Sequence, residues 1–539
     1  MAGNRPSHLP MSPVLTVGLI AALLLAAPGL TQEQPQPRFA TSDQCISCHS
    51  NMVDSTGEAL SIGHRWRASL MAQSARDPYW QAGVRREIAD RPQMQTQLED
   101  ICSVCHMPIF RTQAVAGGGS GELVRYFDAG FSPQEQKDAT DGVSCTVCHQ
   151  ISAENLGDHA SFDGGYVITP SLPEQSKVYG PYEVTAGLQR VMHSASGFLP
   201  GQATHIQKSE LCATCHTLFT PAANGDGEIV GEFAEQMPYL EWEHSAYRET
   251  DSCQDCHMPE VKVPAPISSV LGEQRENVSR HVFRGGNAFM LRLFDKYRDE
   301  LGVTTPSADL ERAAQATLEH LQTAAAEVSV TGLDVSGPEL LFDISVTNKA
   351  GHKLPTAYPS RRAWLHVTVF DGSGRTIFES GALNADGSIT GNDNDLDGST
   401  YEPHYEEITS AGQVQIYEPV IHDYRGEVTT SLLSGFTYAK DNRLLPRGFD
   451  KSTADAAVAV NGTAADDEDF QAGGDRIRYR VRLPEGVTSP RVSAELLYQT
   501  IGHRWARNLE AYETHETNRF VGYYQANADI SAVVLASAK

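Results

Sequence analysis

The stretch DGVSCTVCHQ, residues 141–150, sets Cys145 and Cys148 three apart with His149 directly after them. One such C-x-x-C-H fits a zinc half-site, a redox dithiol or covalent haem attachment, so recurrence decides among them. It recurs as CISCH (Cys45, Cys48, His49), CSVCH (Cys102, Cys105, His106), CATCH (Cys212, Cys215, His216) and CQDCH (Cys253, Cys256, His257). All 10 cysteines are used, and every pair is followed by histidine. A zinc ribbon needs the pairs but no fixed histidine, and a thioredoxin-like site needs one pair. In c-type attachment two thiols add to the two vinyl groups on one edge of a porphyrin, and the adjacent histidine binds the iron. The pattern predicts five haem c groups with these five histidines as proximal ligands.

Attachment of this kind takes place outside the cytoplasm, so an export signal is expected. Arg5 and His8 precede the uncharged run VLTVGLIAALLLAAPGL, Val14 to Leu30, and polar TQEQPQPR follows. The run is short for a membrane span, and Pro28 and Gly29 suit a processing site. Residues 1–31 therefore read as a signal peptide. The product is expected in the periplasm or exported to the cell surface, and membrane association would need an uncleaved signal or a partner. The formal charge of −26 argues against nucleic acid and anionic membranes. Redox partner proteins, other cytochromes among them, fit better.

The motifs all lie between residues 45 and 257, which places a haem domain at 40–300. About 50 residues per haem is too little protein for an ordinary core around each, so the haems themselves are expected to form much of it. ADLERAAQATLEHLQTAAAE then repeats Leu310, Ala314, Leu318 and Leu321 at helical spacing, a linker helix over 305–327. From 328 to 539 the period changes to two. Ile477, Tyr479, Val481 and Leu483 alternate with arginines; Leu365, Val367 and Val369 share a face before a DGSG turn; Val492, Ala494, Leu496 and Tyr498 repeat the pattern. The expected fold class is α+β and multidomain: an N-terminal, mostly helical and loop pentahaem cytochrome c domain and a C-terminal antiparallel β-sandwich.

What stands opposite each proximal histidine separates a wire from a catalyst. Candidate distal ligands are His64, His159, His193, His205, His244 and His281, with Met71 as a sulfur alternative to His64 at the first haem. His320, on the linker helix, reads as no ligand. His352, in GHKLPT ahead of Arg361 and Arg362, reads either as a ligand or docking residue or as a turn at a sheet edge. Asp393, Asp395 and Asp397, followed by Gly398, have the alternation of a calcium loop, although His404 stands where an EF-hand would want glutamate.

Several of these segments resemble the multihaem cytochromes c related to the tetrahaem cytochrome that accepts electrons from hydroxylamine oxidoreductase. GVSCTVCHQISAENLGDH is similar to that family's motif in which a histidine soon after C-x-x-C-H is a distal ligand, which implies His159. RWRASLMAQSA is similar to its first-haem region, with Met71 where the family has its ligand histidine. PYLEWEHSAY, CQDCHMP, HVFRGGN, NKAGHKLPTAYPSRRAWL and KDNRLLPRGF are similar to large bacterial multihaem cytochromes with a C-terminal β-domain. The resemblance implies a haem-packed electron carrier. The competing class is an oxidoreductase reducing a small nitrogen or sulfur oxyanion at an open haem. No C-x-x-C-K motif and no acid/base cluster stands out for it, so the sequence reads as a carrier more than as a catalyst.

Overall fold

The computed structural model describes residues 38–172 and 175–539; the signal segment 1–31 lies outside the described residues. A helix-rich region runs to about residue 320 and a sheet-rich region follows. The helices are short and start on local chemistry. Asp77 accepts the amides of Tyr79 and Trp80 to begin Pro78–Asp90, and Ser132 and Glu135 form a reciprocal capping box at Pro133–Thr140. Apolar clusters in this region are small and separate.

The sheet-rich region contains two main sheets. One orders Glu407–Ile408, Gly474–Arg482, Glu339–Asn348 and Ala326–Ser336; the other orders Thr376–Ser380, Arg362–Phe370, Arg491–Gln499 and Ala532–Ala538, with Ile416–Tyr417 beside Arg362–Phe370. Leu340, Phe342, Ile344, Ile477, Tyr479 and Val481 of the first face Leu365, Val367, Val369, Val492, Ala494 and Leu496 of the second in one buried core. The period-two reading of these strands matches the observed alternation. One expectation is corrected. The pairing is not wholly antiparallel, because Glu407–Ile408 runs parallel to Gly474–Arg482, reaching it after a long excursion rather than a hairpin.

Helix Ser307–His320 continues through a π-helical turn, Leu321–Ala325, directly into the strand that starts at Ala326. Its Leu310 and Ala314 are buried with Leu291, Leu293 and Phe294 of helix Ala288–Lys296 and with Phe520, Tyr523 and Tyr524 of helix His515–Gln525. The C-terminal region thus carries helices of its own, and they share a core with the N-terminal region. Glu87 strengthens that junction by accepting from Ser431 Oγ at 2.7 Å and Leu432 N at 2.9 Å.

Candidate haem-binding site

Each C-x-x-C-H lies in or at the end of a helix: Ser42–Ile46, Gln95–His106, Cys145–Cys148, Ser209–His216 and Cys253–His257. Helical spacing of three puts both thiols of a pair on one side, with the histidine next in the turn. The turn is closed by His49 N on Cys45 O at 2.9 Å and His149 N on Cys145 O at 3.0 Å. In the fifth motif the intervening Asp255 completes a capping box with Ser252, and Cys253 N donates to Ser209 Oγ at 3.1 Å, tying this helix to the start of the fourth.

Four of the five motif imidazoles are held by their Nδ1 atoms. His49 Nδ1 is 2.7 Å from Ile267 O, His106 Nδ1 3.1 Å from Ser74 O, and His149 Nδ1 2.6 Å from Tyr179 O; His257 Nδ1 bonds Arg284 O. A carbonyl can only accept, so each Nδ1 carries the proton and Nε2 carries the lone pair, the tautomer that binds a metal through Nε2. Burial pushes His106 and His216 down to about 4, so both are neutral at physiological pH. Trp80 lies flat on the His106 ring, 4.3 Å between centroids, and fixes its plane.

The six histidines expected opposite them fall into different settings. His281 faces His149 with 6.3 Å between ring centroids and 15° between planes, and its Nδ1 is 3.1 Å from Ser279 O. His193 Nε2 is buried without a hydrogen-bond partner. His205 Nε2 meets Ile151 O at 2.8 Å, and His244 Nε2 meets Asp455 Oδ2 at 3.2 Å. His159 is exposed and lies over Phe219 at 5.1 Å. His64 is exposed on helix Ile62–Arg67, at a cleft also lined by Arg65, Arg284 and Arg312, while Met71 is half-buried. The structure also brings His352 and His320 to His257, at 6.2 and 6.3 Å. His320 is half-buried there, a placement that helical spacing alone did not reveal.

Distant motifs meet through their thiols: Cys45 with Cys145, Cys105 with Cys215, and Cys212 with Cys253 are in side-chain contact. Burial raises the Cys102 and Cys148 thiols to about 12. Neutral imidazoles with free Nε2 atoms, paired thiols on helical faces, a buried unpartnered Nε2 at His193 and a fragmented apolar core together fit the covalent haems that the motifs imply.

The calcium reading is corrected. Asp395 is buried and bonded to Arg362 Nη1 at 2.8 Å and Ile389 N at 2.9 Å, and Asp397 Oδ1 accepts from Ser399 N at 2.9 Å. Asp393–Leu396 is a helical turn, and among the described residues the carboxylates of Asp393, Asp395 and Asp397 do not gather within ligand distance of one another. Sequence reading missed a different cluster, His404, Asp467 and Asp475, whose ligand-type atoms lie within 4.8 Å of one another. It is a closed hydrogen-bond network. His404 Nδ1 accepts from Gln415 at 2.8 Å and Asn442 at 3.1 Å, whose amide oxygens are held by the Tyr405 and Glu418 N–H groups, and Nε2 donates to Asp467 at 3.0 Å. A cation at Nε2 would have to displace that proton with no place for it on Nδ1.

Burial pushes Asp475 up to about 7, and burial does the same to Glu235. Both carboxyls hold their proton more tightly folded than unfolded. Their stabilisation is complete below the unfolded carboxyl range and is lost as pH rises through 7. Thermal unfolding should therefore show a midpoint that falls between about pH 4 and 7 and levels off above that, each group contributing up to ~1.4 kcal/mol per pH unit across the window. Asp475→Asn should flatten part of that fall; an unchanged profile in the variant would contradict the assignment.

Among solved structures, the chain is similar to a penta-heme cytochrome c552 from Thermochromatium tepidum, with a TM-score of 0.51 over 93% of this chain and 98% of that one, at 15% identity. No protein-family model and no curated protein matches the sequence. The likeness at this identity is one of fold. With 93% of this chain covered, it extends across both the helix-rich and the sheet-rich regions. Among the described residues, no helix is long and apolar enough to cross a membrane.

Proposed function

We propose that this chain is a multihaem c-type cytochrome that carries electrons between redox partners outside the cytoplasm through five covalently bound haems. The observation that carries the reading is the pair His149 and His281. Two imidazoles bound through Nε2 to one metal, with bonds of about 2 Å and ring radii of about 1 Å, stand roughly 6 Å apart centre to centre. The observed 6.3 Å meets that requirement. The ten motif cysteines would hold the groups as thioethers, and His49, His106, His149, His216 and His257 would bind iron from one side. Haem supplies one-electron redox chemistry when bound. The protein's part is to keep Nε2 available, hold ring planes and bring motifs together. The thiol contacts support the neighbour pairs one and three, two and four, and four and five.

Among the distal candidates, His281 is assigned opposite His149, and the unpartnered Nε2 of His193 makes it the next best supported. His205 and His244 would have to release their present partners through Nε2, His159 would have to turn inward from the surface, and His64 or Met71 serves the first haem. The two regions read as a pentahaem cytochrome c domain and a β-sandwich. The acidic surface favours basic or weakly charged protein partners, cytochromes included.

A second reading has one observation in its favour. The cleft at His64 is lined by Arg65, Arg284 and Arg312, a cationic setting suited to a small oxyanion, and Met71 replaces the histidine expected there. Electron paramagnetic resonance of the oxidised, haem-loaded protein separates the two readings. Low-spin signals only, unmoved by nitrite or hydroxylamine, are expected of the carrier. A high-spin signal that moves with either ligand would put the oxidoreductase ahead, and fewer than five attached haems by intact mass would count against both.

A further inference from the structure

We infer that His352, from the sheet-rich region, is the second axial ligand of the iron held by His257. The inference rests on the haem reading above. Rings His257 and His352 lie 6.2 Å apart and 14° from parallel, the same relation as His149 and His281 at 6.3 Å and 15°. The hydrogen bonding repeats as well. His352 Nδ1 is 2.9 Å from Lys353 O, as His281 Nδ1 is 3.1 Å from Ser279 O, which leaves Nε2 of each with the lone pair.

The loop that carries His352 is fastened on both sides. Asn348 Nδ2 holds the His352 and Leu444 carbonyls, each at 2.9 Å, and Asn348 Oδ1 accepts Ala350 N at 2.8 Å. From the helix-rich region, Tyr247 OH donates to Lys349 O at 3.0 Å, and Glu241 Oε2 accepts Lys353 N at 3.1 Å. Gly351 packs beside the Trp242 and Tyr247 side chains, where even an added Cβ would make ordinary contact at 3.5 Å with each. A ligand needs this kind of prior positioning, because a free loop would lose conformational entropy each time it bound.

His320 is the competitor, 6.3 Å from His257 with planes at 60°. Bis-imidazole coordination tolerates that angle, but His320 has no Nδ1 bond to fix its tautomer among the described residues. It is the last residue of helix Ser307–His320, just before the π-helical turn. The consequence of assigning His352 is that the sheet-rich region closes the coordination of the fifth haem, the one whose Cys256 is exposed. That region then sets the potential of the haem nearest one surface.

The test uses the full chain matured with its haems, as wild type, His352→Ala and His320→Ala. Intact mass gives the number of attached haems, and electron paramagnetic resonance gives the spin state of each class of iron. His352→Ala should retain five haems and convert one iron in five to a high-spin form that returns to low spin with added imidazole. His320→Ala should leave all low-spin signals in place. The inference fails if His352→Ala keeps the wild-type spectrum, or if His320→Ala is the variant that produces the high-spin iron. Should His352→Ala not accumulate, His352→Met keeps a ligand of similar reach and is expected to raise the potential of a single haem, because thioether ligation favours the reduced iron; unchanged potentials would overturn the assignment. A wild-type chain with fewer than five haems would instead defeat the parent reading.

Discussion

Converting Cys145 and Cys148 together to alanine is expected to give a chain with one fewer attached haem and a steep loss of folded protein. The third motif sits among other sites: Cys145 touches Cys45, His149 faces His281, and Tyr179 O accepts the His149 ring. Its Thr146 is buried and bonded to Ala40 O at 2.8 Å. The apolar clusters around it are small, so little side-chain packing remains if the haem is not attached. A void the size of a leucine side chain costs ~2–5 kcal/mol, and a porphyrin is several times larger. The loss is therefore expected to exceed the ~5–15 kcal/mol that holds a domain folded. Haem staining, intact mass and yield in the exported fraction would show it. A variant with four haems and undiminished yield would mean that the third haem is peripheral. The same double change at Cys253 and Cys256, where one thiol is exposed, should be milder.

Replacing Asp441 by asparagine is expected to cost ~3–5 kcal/mol, or roughly 10 °C in thermal midpoint. Asp441 lies between two buried cations, 2.7 Å from Lys353 Nζ and 2.7 and 2.8 Å from the Arg443 guanidinium, and Arg443 also pairs with Glu241 at 2.8 Å. The four side chains are between 0% and 5% exposed. Burial alone would raise the Asp441 carboxyl, but Arg443 and Lys353 outweigh it and hold it well below the usual range. The cluster is electrically balanced. Asparagine keeps the shape but leaves one positive charge uncompensated where water cannot reach it. Because Glu241 also accepts Lys353 N, the change should loosen the His352 loop and disturb the spectrum of one haem. The control is Arg478→Ala, which breaks the exposed 3.0 Å pair with Asp343 and should cost under ~1 kcal/mol. Equal losses in the two variants would show that burial of the cluster is not what matters.

What could be read from the sequence follows from how local each feature is. Both thiols and the histidine of each C-x-x-C-H motif come from one helical turn, so five short strings of residues are enough to propose the cofactor and its ten attachment points. Strands with one buried face leave a period-two signature, which is why Gly474–Arg482 and Arg491–Gln499 matched expectation. The expectation of a signal segment at 1–31 is likewise a matter of composition, though those residues lie outside the described ones.

The residues that would stand across each iron on the proposed reading are not local. His281 stands 132 residues from His149 and His352 stands 95 from His257, and only the packing of the two regions decides which ring faces which. A histidine in a helix that reads as exposed, His320, is brought beside a motif because the helix packs on its neighbours. The acidic loop at Asp393 shows the converse: its alternation suggested calcium, yet Asp395 is buried in an ion pair with Arg362, from strand Arg362–Phe370. Sequence alone thus determined the motifs whose proposed chemistry is covalent and contained within a turn. Tertiary structure decided which histidines meet and could share a metal, because a ligand's role is fixed by where its free lone pair points and not by its residue type.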